Sequence, residues 1–138
     1  MSSAITVRSL IPGNAQGPLL VLSDGLSFWG GLDPASGEII DNQHPQKGQN
    51  IRGKVLVLPS PKGSTAAPGA LLECLRAGNG PAIIVLMRPD VTPVAAVLAA
   101  RIVAIQTIPI IQLLHISHLG KLKTATYAVL HGDKLTFS

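Results

Sequence analysis

Cysteine is almost absent from this 138-residue chain, which contains only Cys74. A single thiol excludes an internal disulfide, and it cannot by itself hold a zinc ion or an iron–sulfur cluster. We therefore expect a protein of the reducing cytoplasm with no metal centre of its own. Cys74 lies at an apolar position of a predicted helix, so we expect it in the core.

Aromatic and charged residues are also scarce, at 3% and 13% of the chain. With so few aromatics, the core must be built from Val, Ile, Leu and Ala. The net charge of +4 suits an anionic ligand or an acidic partner. The basic residues form no run with interleaved aromatics, which argues against a nucleic-acid-binding protein.

Long apolar runs are missing too. The N-terminal sequence MSSAITVRSLIPG lacks the apolar core of a signal peptide. The one membrane-like stretch, residues 94–114, is interrupted by Arg101, Gln106 and Pro109, which is more typical of a helix followed by a buried strand. We expect one domain over residues 1–138, with no targeting segment and no membrane association.

Turn-forming residues are abundant in the first half of the chain, where they separate short apolar runs such as 18–22 and 38–40. This pattern predicts short strands joined by turns. The sequence DPASG at 33–37 predicts a type I turn that closes a hairpin, because proline stands at its second position and glycine follows.

The second half changes to a β-α-β-α-β pattern with strands rich in Val and Ile, which is typical of buried parallel strands. An antiparallel pair follows, turned by the sequence HGD at 131–133. The predicted fold class is therefore α/β. The predicted strands are 54–58, 82–87, 108–113, 124–130 and 134–137, and the predicted helices are 65–77, ended by Gly78, and 92–105.

Two loops of this pattern are candidates for a binding site. Right-handed crossovers would place the loops after Leu58 and Met87 at the carboxyl edge of the parallel strands, where ligands of open α/β sheets bind. The first loop contains the sequence KGST at 62–65, directly before a predicted helix. It is not a P-loop, because Leu58 stands where the first glycine of that motif would be.

The KGST loop leaves two alternatives open. A Ser64 or Thr65 hydroxyl could cap the helix by accepting one of its first backbone N–H groups. The positive helix end and Lys62 could instead stabilise an anionic ligand or a serine alkoxide, with Gly63 allowing close approach to the backbone.

Three longer motifs occur in order along the chain. They are LSFWGGLDPASGEIID at 26–41, HPQKGQNIRGKVLVLPSPKGST at 44–65 and GPAIIVLMRPD at 80–90. Together they resemble the small subunit, or swivel domain, of aconitase X, over about residues 17–113. The resemblance implies a swivelling β/β/α domain in which a β-barrel-like half packs with the βαβαβ parallel unit.

The resemblance also implies an activity shared with a partner. Small subunits of this family dock as a lid over a large catalytic subunit that carries an iron or iron–sulfur centre, and the pair removes water from a small anionic hydroxy acid. We therefore expect a hydro-lyase subunit that is active only with its large partner, as a heterodimer, and that holds no cofactor itself.

The loop residues gain roles from the resemblance. Ser64 matches the serine that acts as the base, and general chemistry agrees, since a hydroxyl base needs nearby positive charge and exclusion of water. The metal of the large subunit would polarise the departing hydroxyl as a Lewis acid. Lys62, Gly63 and Thr65 would complete the substrate-binding loop.

Other motif residues are expected at the cleft or at the subunit interface, while Phe28 is expected in the core. For Trp29 the alternative is the core. For His44 it is an exposed loop histidine without a role, and for Arg88 it is a solvated loop arginine. The expected cleft or interface residues are Ser27, Trp29, Gly30, Gly31, His44 and Arg88. A metal pair at His115 and His118 lacks any further ligand pattern.

The motifs divide between two substrates of the family. KGST followed by Ala66-Ala67-Pro68, instead of further serines, resembles the mevalonate 5-phosphate branch. HPQ at 44–46 and RPD at 88–90 resemble the cis-3-hydroxy-L-proline branch. We take cis-3-hydroxy-L-proline as the first choice and mevalonate 5-phosphate as the second.

Functions of another class remain as alternatives. Swivelling β/β/α domains also serve as phosphohistidine carriers, which need a reactive histidine at a helix start, and none follows the strand ending at Leu58. A non-enzymatic interaction module belongs to the same class of alternatives. A stand-alone scaffold that has lost its activity is the third interpretation.

Overall fold

The computed structural model describes residues 2–59, 67–88, 91–102 and 107–138. These residues form nine strands and four helices. In chain order they are β1 (Ser3–Ile11), β2 (Ala15–Val21), α1 (Phe28–Gly31), β3 (Leu32–Asp33), β4 (Glu38–Ile39), β5 (Val55–Leu58), α2 (Ala67–Arg76), β6 (Ile83–Leu86), α3 (Val91–Ile102), β7 (Ile110–Leu113), α4 (Ile116–Lys123), β8 (Tyr127–His131) and β9 (Lys134–Phe137).

Seven of the strands form a closed barrel in the order β1-β7-β6-β5-β2-β8-β9. The neighbours β2, β5, β6 and β7 are parallel to one another, whereas β8, β9 and β1 join them through antiparallel pairs. Strand β1 closes the barrel because its first half pairs with β9 and its second half with β7. The predicted parallel unit and β-barrel-like half are thus parts of one sheet.

The central parallel strands are buried on both faces, so their sequences are continuously apolar. Alternate residues belong to two different cores. One core lies between the sheet and α1, α2 and α3, and it contains Leu56, Leu58, Ile84, Leu86 and Ile110. The other fills the barrel, and it contains Val55, Val57, Ile83, Val85 and Ile111.

Cys74 lies in the helix-side core and is fully buried, as predicted. Its Sγ donates to the carbonyl oxygen of Asn79, 3.2 Å away. Burial raises the pKa of the thiol to about 11, with a smaller contribution from the charge of Asp33. The thiol is therefore protonated at neutral pH and is a structural residue.

The predicted βαβαβ elements are confirmed, with shifted bounds. Strand β5 begins one residue later than predicted, and α2 ends at Arg76 before Gly78, which has a positive φ of 78°. The apolar stretch 94–114 divides into part of α3 and β7, with residues 103–106 between them outside the described residues. Among the described helices, none has the length and apolar character needed to cross a bilayer.

Three elements were not predicted. Strand β1 alternates exposed residues with the buried Ile5 and Val7, but it is paired with strands about a hundred or more residues away. The one-turn helix α1 falls within the SFWGG sequence. Helix α4 begins directly after β7, and the following strand therefore starts at Tyr127 instead of residue 124.

The predicted hairpin turn at 33–37 is confirmed between β3 and β4. The Asp33 carboxylate accepts the Ala35 N–H and the Ser36 hydroxyl, and the Asp33 carbonyl oxygen accepts the Gly37 N–H at 2.7 Å. Asn79, which follows α2, donates its side-chain N–H to the carbonyl oxygen of Pro34 at 3.1 Å. The hairpin is therefore fastened to the end of α2.

Gly37 combines a positive φ of 85° with tight surroundings. A Cβ at this position would lie 2.8 Å from Asn50 Oδ1 and 2.9 Å from the carbonyl oxygen of Asn79. Gly48 has a similar φ of 93°, but a Cβ at that position would meet no atom within 4 Å. Gly48→Ala is therefore a matched control for backbone strain alone.

We expect Gly37→Ala to lower the free energy of unfolding by about 1–3 kcal/mol, from backbone strain and from the clash with Asn50 and Asn79. Urea unfolding followed by circular dichroism measures the loss. Gly48→Ala should lower the free energy of unfolding by less. Equal losses for the two variants would contradict the tight contact of position 37 with Asn50 and Asn79.

Candidate functional site

The carboxyl ends of the parallel strands meet at one edge of the barrel. Strands β2, β5, β6 and β7 end at Val21, Leu58, Leu86 and Leu113, and their parallel registers place these ends side by side. The loops that the sequence singled out leave the sheet at this edge. The same edge of an open parallel sheet is the usual place for a ligand.

The KGST loop connects this edge with the start of α2. Pro59 follows the end of β5, and α2 begins at Ala67. Residues 60–66, which include Lys62, Gly63, Ser64 and Thr65, lie outside the described residues. The described flanks agree with a loop that runs from a strand's carboxyl end to a helix N-terminus, where backbone N–H groups favour an anion.

A groove of about 310 Å³ lies beside Pro59, between the ends of β5, β6 and β7 and the first turn of α4. Among the described residues that line it, the polar ones are Arg88, Gln112 and His115. The neighbouring Leu114 and Ile116 are 49% and 77% exposed, so an apolar lip borders the groove. The remaining lining residues are Pro59, Met87, Leu113 and Leu119.

The SFWGG sequence forms α1, which packs against α2. Ser27 stands at the helix N-cap, and the side chain of Phe28 is buried in the helix-side core, as predicted. Gly30 is exposed with a φ of 79°, whereas Gly31 is buried and its carbonyl oxygen accepts the Ile40 N–H. The Trp29 side chain lies outside the described residues.

His44 is buried, with 4% of its surface exposed, although the sequence suggested a histidine in an exposed polar loop. Both ring nitrogens have backbone partners. The Gln46 N–H donates to Nδ1 at 3.0 Å, so Nε2 carries the hydrogen and donates to the carbonyl oxygen of Asp24 at 3.2 Å. His44 is thus a structural residue of the free chain, because burial is compensated by these two bonds.

Gln46 completes this arrangement and was not singled out from the sequence. Its Oε1 accepts the Ser23 N–H at 2.8 Å, and its Nε2 donates to the carbonyl oxygen of Val21 at 2.8 Å. These bonds hold the chain where it leaves β2 and turns toward α1. The HPQ motif therefore shapes the carboxyl edge. In the sequence, only Pro45 in the middle of the motif indicated a turn.

His115 and His118 lie near each other at the start of α4, with ring centroids 5.9 Å apart. Burial lowers the pKa of His118, and the charges of Lys121 and His115 lower it further. The described residues include no group of three or more His, Cys, Asp or Glu side chains that could hold a metal ion. The pair alone provides no metal site.

The closed barrel and its parallel βαβαβ half have the architecture of a β/β/α domain. Residues 4–138 match the sequence profile of the aconitase X swivel domain. The chain belongs to the aconitase X swivel-domain family.

Curated relatives of the chain carry two different names. A cis-3-hydroxy-L-proline dehydratase of Pseudomonas aeruginosa is 45% identical over 86 residues, which are 62% of this chain and 15% of the relative. The Hypocrea jecorina enzyme of the same name is 37% identical over 127 residues, which are 91% of this chain and 21% of that enzyme. A phosphomevalonate dehydratase small subunit of Thermococcus gammatolerans is 34% identical over 128 residues, which are 92% of this chain and 90% of that subunit.

The chain thus spans about a fifth or less of the first two relatives, and nearly all of the third. A crystal structure of Thermococcus kodakaraensis aconitase X in its holo-form superimposes with a TM-score of 0.79 and 26% identity, covering 99% of this chain and 98% of that chain. The family resemblance and the fold class predicted from the sequence are confirmed. The roles of the individual site residues stay predictions.

We expect Gln46→Leu to lower the free energy of unfolding by about 1–3 kcal/mol, because Ser23 N–H and the Val21 carbonyl oxygen lose their partners. Thermal unfolding of the purified chain measures this loss. Gln43→Leu is the matched control, since the Gln43 side chain is exposed in the same loop. Equal stability of the two variants would contradict the bracing role of Gln46.

Proposed function

We propose that this chain is the swivel component of an aconitase X type dehydratase, a hydro-lyase that is active only with a large catalytic subunit. The observation that carries the proposal is the match to the swivel domain over residues 4–138. The flanks of the KGST loop support it, because they lead from the end of β5 to the start of α2. A cytoplasmic location fits the single buried thiol.

cis-3-hydroxy-L-proline is the first choice of substrate. Over nearly the same length of this chain, identity is 37% to the Hypocrea jecorina hydroxyproline enzyme and 34% to the Thermococcus gammatolerans phosphomevalonate subunit. The Pseudomonas aeruginosa hydroxyproline enzyme reaches 45% over a shorter segment. Mevalonate 5-phosphate is the second choice, and the KGST sequence favours it.

Ser64 is the proposed base. Dehydration removes the proton next to the substrate carboxylate and the hydroxyl from the adjacent carbon, so a group must accept that proton. A serine hydroxyl does so only where its anionic form is stabilised. The N-terminus of α2 and Lys62 would supply that stabilisation, and a companion chain covering the carboxyl edge would exclude water. Gly63 and Thr65 would complete the loop around the substrate.

The rest of the site is proposed to lie on the companion chain. In the hydroxyproline dehydratases the matched segment is only 15% and 21% of the whole relative, so most of such an enzyme is outside the swivel domain. The iron or iron–sulfur centre expected for the family does not fit this chain. Its one cysteine, Cys74, is buried in the core with a raised pKa and bonded to Asn79.

A phosphohistidine carrier is the alternative from another class. In the structure, His115 is exposed and stands at the N-cap of α4, two residues after the end of β7. A carrier would form a phosphohistidine there, which mass spectrometry at alkaline pH would detect. We expect no phosphohistidine after the chain is incubated with ATP, or with phosphoenolpyruvate and the general enzymes of a phosphocarrier system.

The role of Ser64 is tested in the complex reconstituted with the large subunit from the same genome. We expect Ser64→Ala and Ser64→Asn each to lower turnover of cis-3-hydroxy-L-proline by about 10²-fold or more, with assembly intact. Asparagine caps a helix as well as serine but cannot act as the alkoxide base. Loss in the alanine variant alone would reduce Ser64 to a helix cap.

Ser60→Ala is the matched control, since it removes a hydroxyl from the same loop. The Ser60→Ala complex should turn over substrate at a rate close to that of the unmodified complex. Turnover of mevalonate 5-phosphate in place of hydroxyproline would overturn the first choice of substrate, and turnover of neither substrate would contradict the proposed function.

A further inference from the structure

Arg88 is a cation of the carboxyl-edge groove with an exposed side chain. It follows β6 by two residues, and it has no hydrogen bond or ion pair to another described residue. No carboxylate is found among the described residues that line this groove. An exposed guanidinium that meets no carboxylate among the described lining residues of the groove is suited to bind an anion from outside the chain.

Gln112 supplies the second observation. It lies on β7 in register with Leu86 of β6, and its side-chain Oε1 is buried without a hydrogen-bond partner. Buried acceptors are normally satisfied, because leaving one unpaired is costly. The oxygen therefore calls for an N–H donor that the described free chain does not place there.

The two residues lie at the carboxyl ends of neighbouring strands. Leu86, the last residue of β6, belongs to the helix-side core, and Met87 packs against the barrel core. Gln112 is paired with Leu86 in the parallel ladder between β6 and β7, and Arg88 follows Leu86 by two residues. Both residues line the same groove.

We propose that Arg88 and Gln112 form a carboxylate-binding subsite for the substrate. The Arg88 guanidinium binds the carboxylate through two N–H groups, and Gln112 Oε1 accepts a third N–H and so holds the guanidinium in place. Gln112 is a positioning residue. This inference rests on the proposed function, and it names the group of the substrate that this chain recognises, which both candidate substrates possess.

Kinetics of the reconstituted complex test the subsite. We expect Arg88→Gln to raise KM for cis-3-hydroxy-L-proline about tenfold to a hundredfold, the range of hydrogen bonds to a charged group, and Arg88→Lys to restore part of the loss. Arg52→Gln makes the same change of charge at an exposed position on the opposite edge of the strands. The KM of this variant complex should therefore match the KM of the unmodified complex.

Two variants of Gln112 separate positioning from packing. Gln112→Leu keeps the volume but removes the acceptor, and we expect a several-fold rise in KM with kcat little changed. Gln112→Glu adds a carboxylate that competes for the guanidinium, so KM should rise further than in the leucine variant. Equal effects of the two variants would show that Gln112 only fills space. Thermal unfolding and complex assembly control for folding.

Inhibition identifies the group that is bound. L-Proline lacks the hydroxyl that is eliminated, and L-prolinamide lacks the carboxylate as well. We expect Arg88→Gln to weaken L-proline inhibition tenfold or more and to leave L-prolinamide inhibition unchanged. Equal weakening for both compounds, or an Arg88→Gln effect no larger than that of Arg52→Gln, overturns the subsite.

The outcomes distinguish this inference from the proposed function. An unmodified complex that dehydrates its substrate while Arg88→Gln has an unchanged KM refutes the subsite alone. If the complex uses mevalonate 5-phosphate, the KM for that substrate is compared in the same variants. If it turns over neither substrate and calorimetry detects no L-proline binding, both the function and the subsite are wrong.

Discussion

The parallel pairing of β2, β5, β6 and β7 is the constraint on which the rest of the structure depends. Because β5 and β6 are buried on both faces, a change of register by one residue would exchange the helix-side core with the barrel core. A fixed register places every carboxyl end at one edge. The HPQ segment, Pro59 before the KGST loop, Arg88 and Gln112 therefore lie at one edge of the sheet, although they are distant in the sequence.

The sequence predicted this parallel half well. Continuous Val and Ile runs separated by helical segments have few other solutions, and Gly78 and the DPASG turn end elements through local backbone preferences. The barrel was only partly foreseen. Closure depends on β1, whose partners β7 and β9 are about a hundred or more residues away, and a short alternating strand carries no local sign of such pairing.

The candidate site was predictable in its position but not in its contacts. His44 has polar neighbours in the sequence, which suggests exposure, yet its ring is buried because two backbone groups satisfy its nitrogens. Gln112 stands in an apolar strand sequence, and nothing local shows that its oxygen lacks a partner. Such features depend on distant segments meeting, so residue patterns cannot supply them.

The central claim is that the carboxyl edge faces the companion chain and the substrate. Hydrogen–deuterium exchange of the swivel chain, alone and with the large subunit, tests it most directly. The account predicts that backbone amides of residues 113–119 gain protection on assembly, while those of 52–53 and 78–82 at the opposite edge do not. Protection confined to the opposite edge would contradict the account.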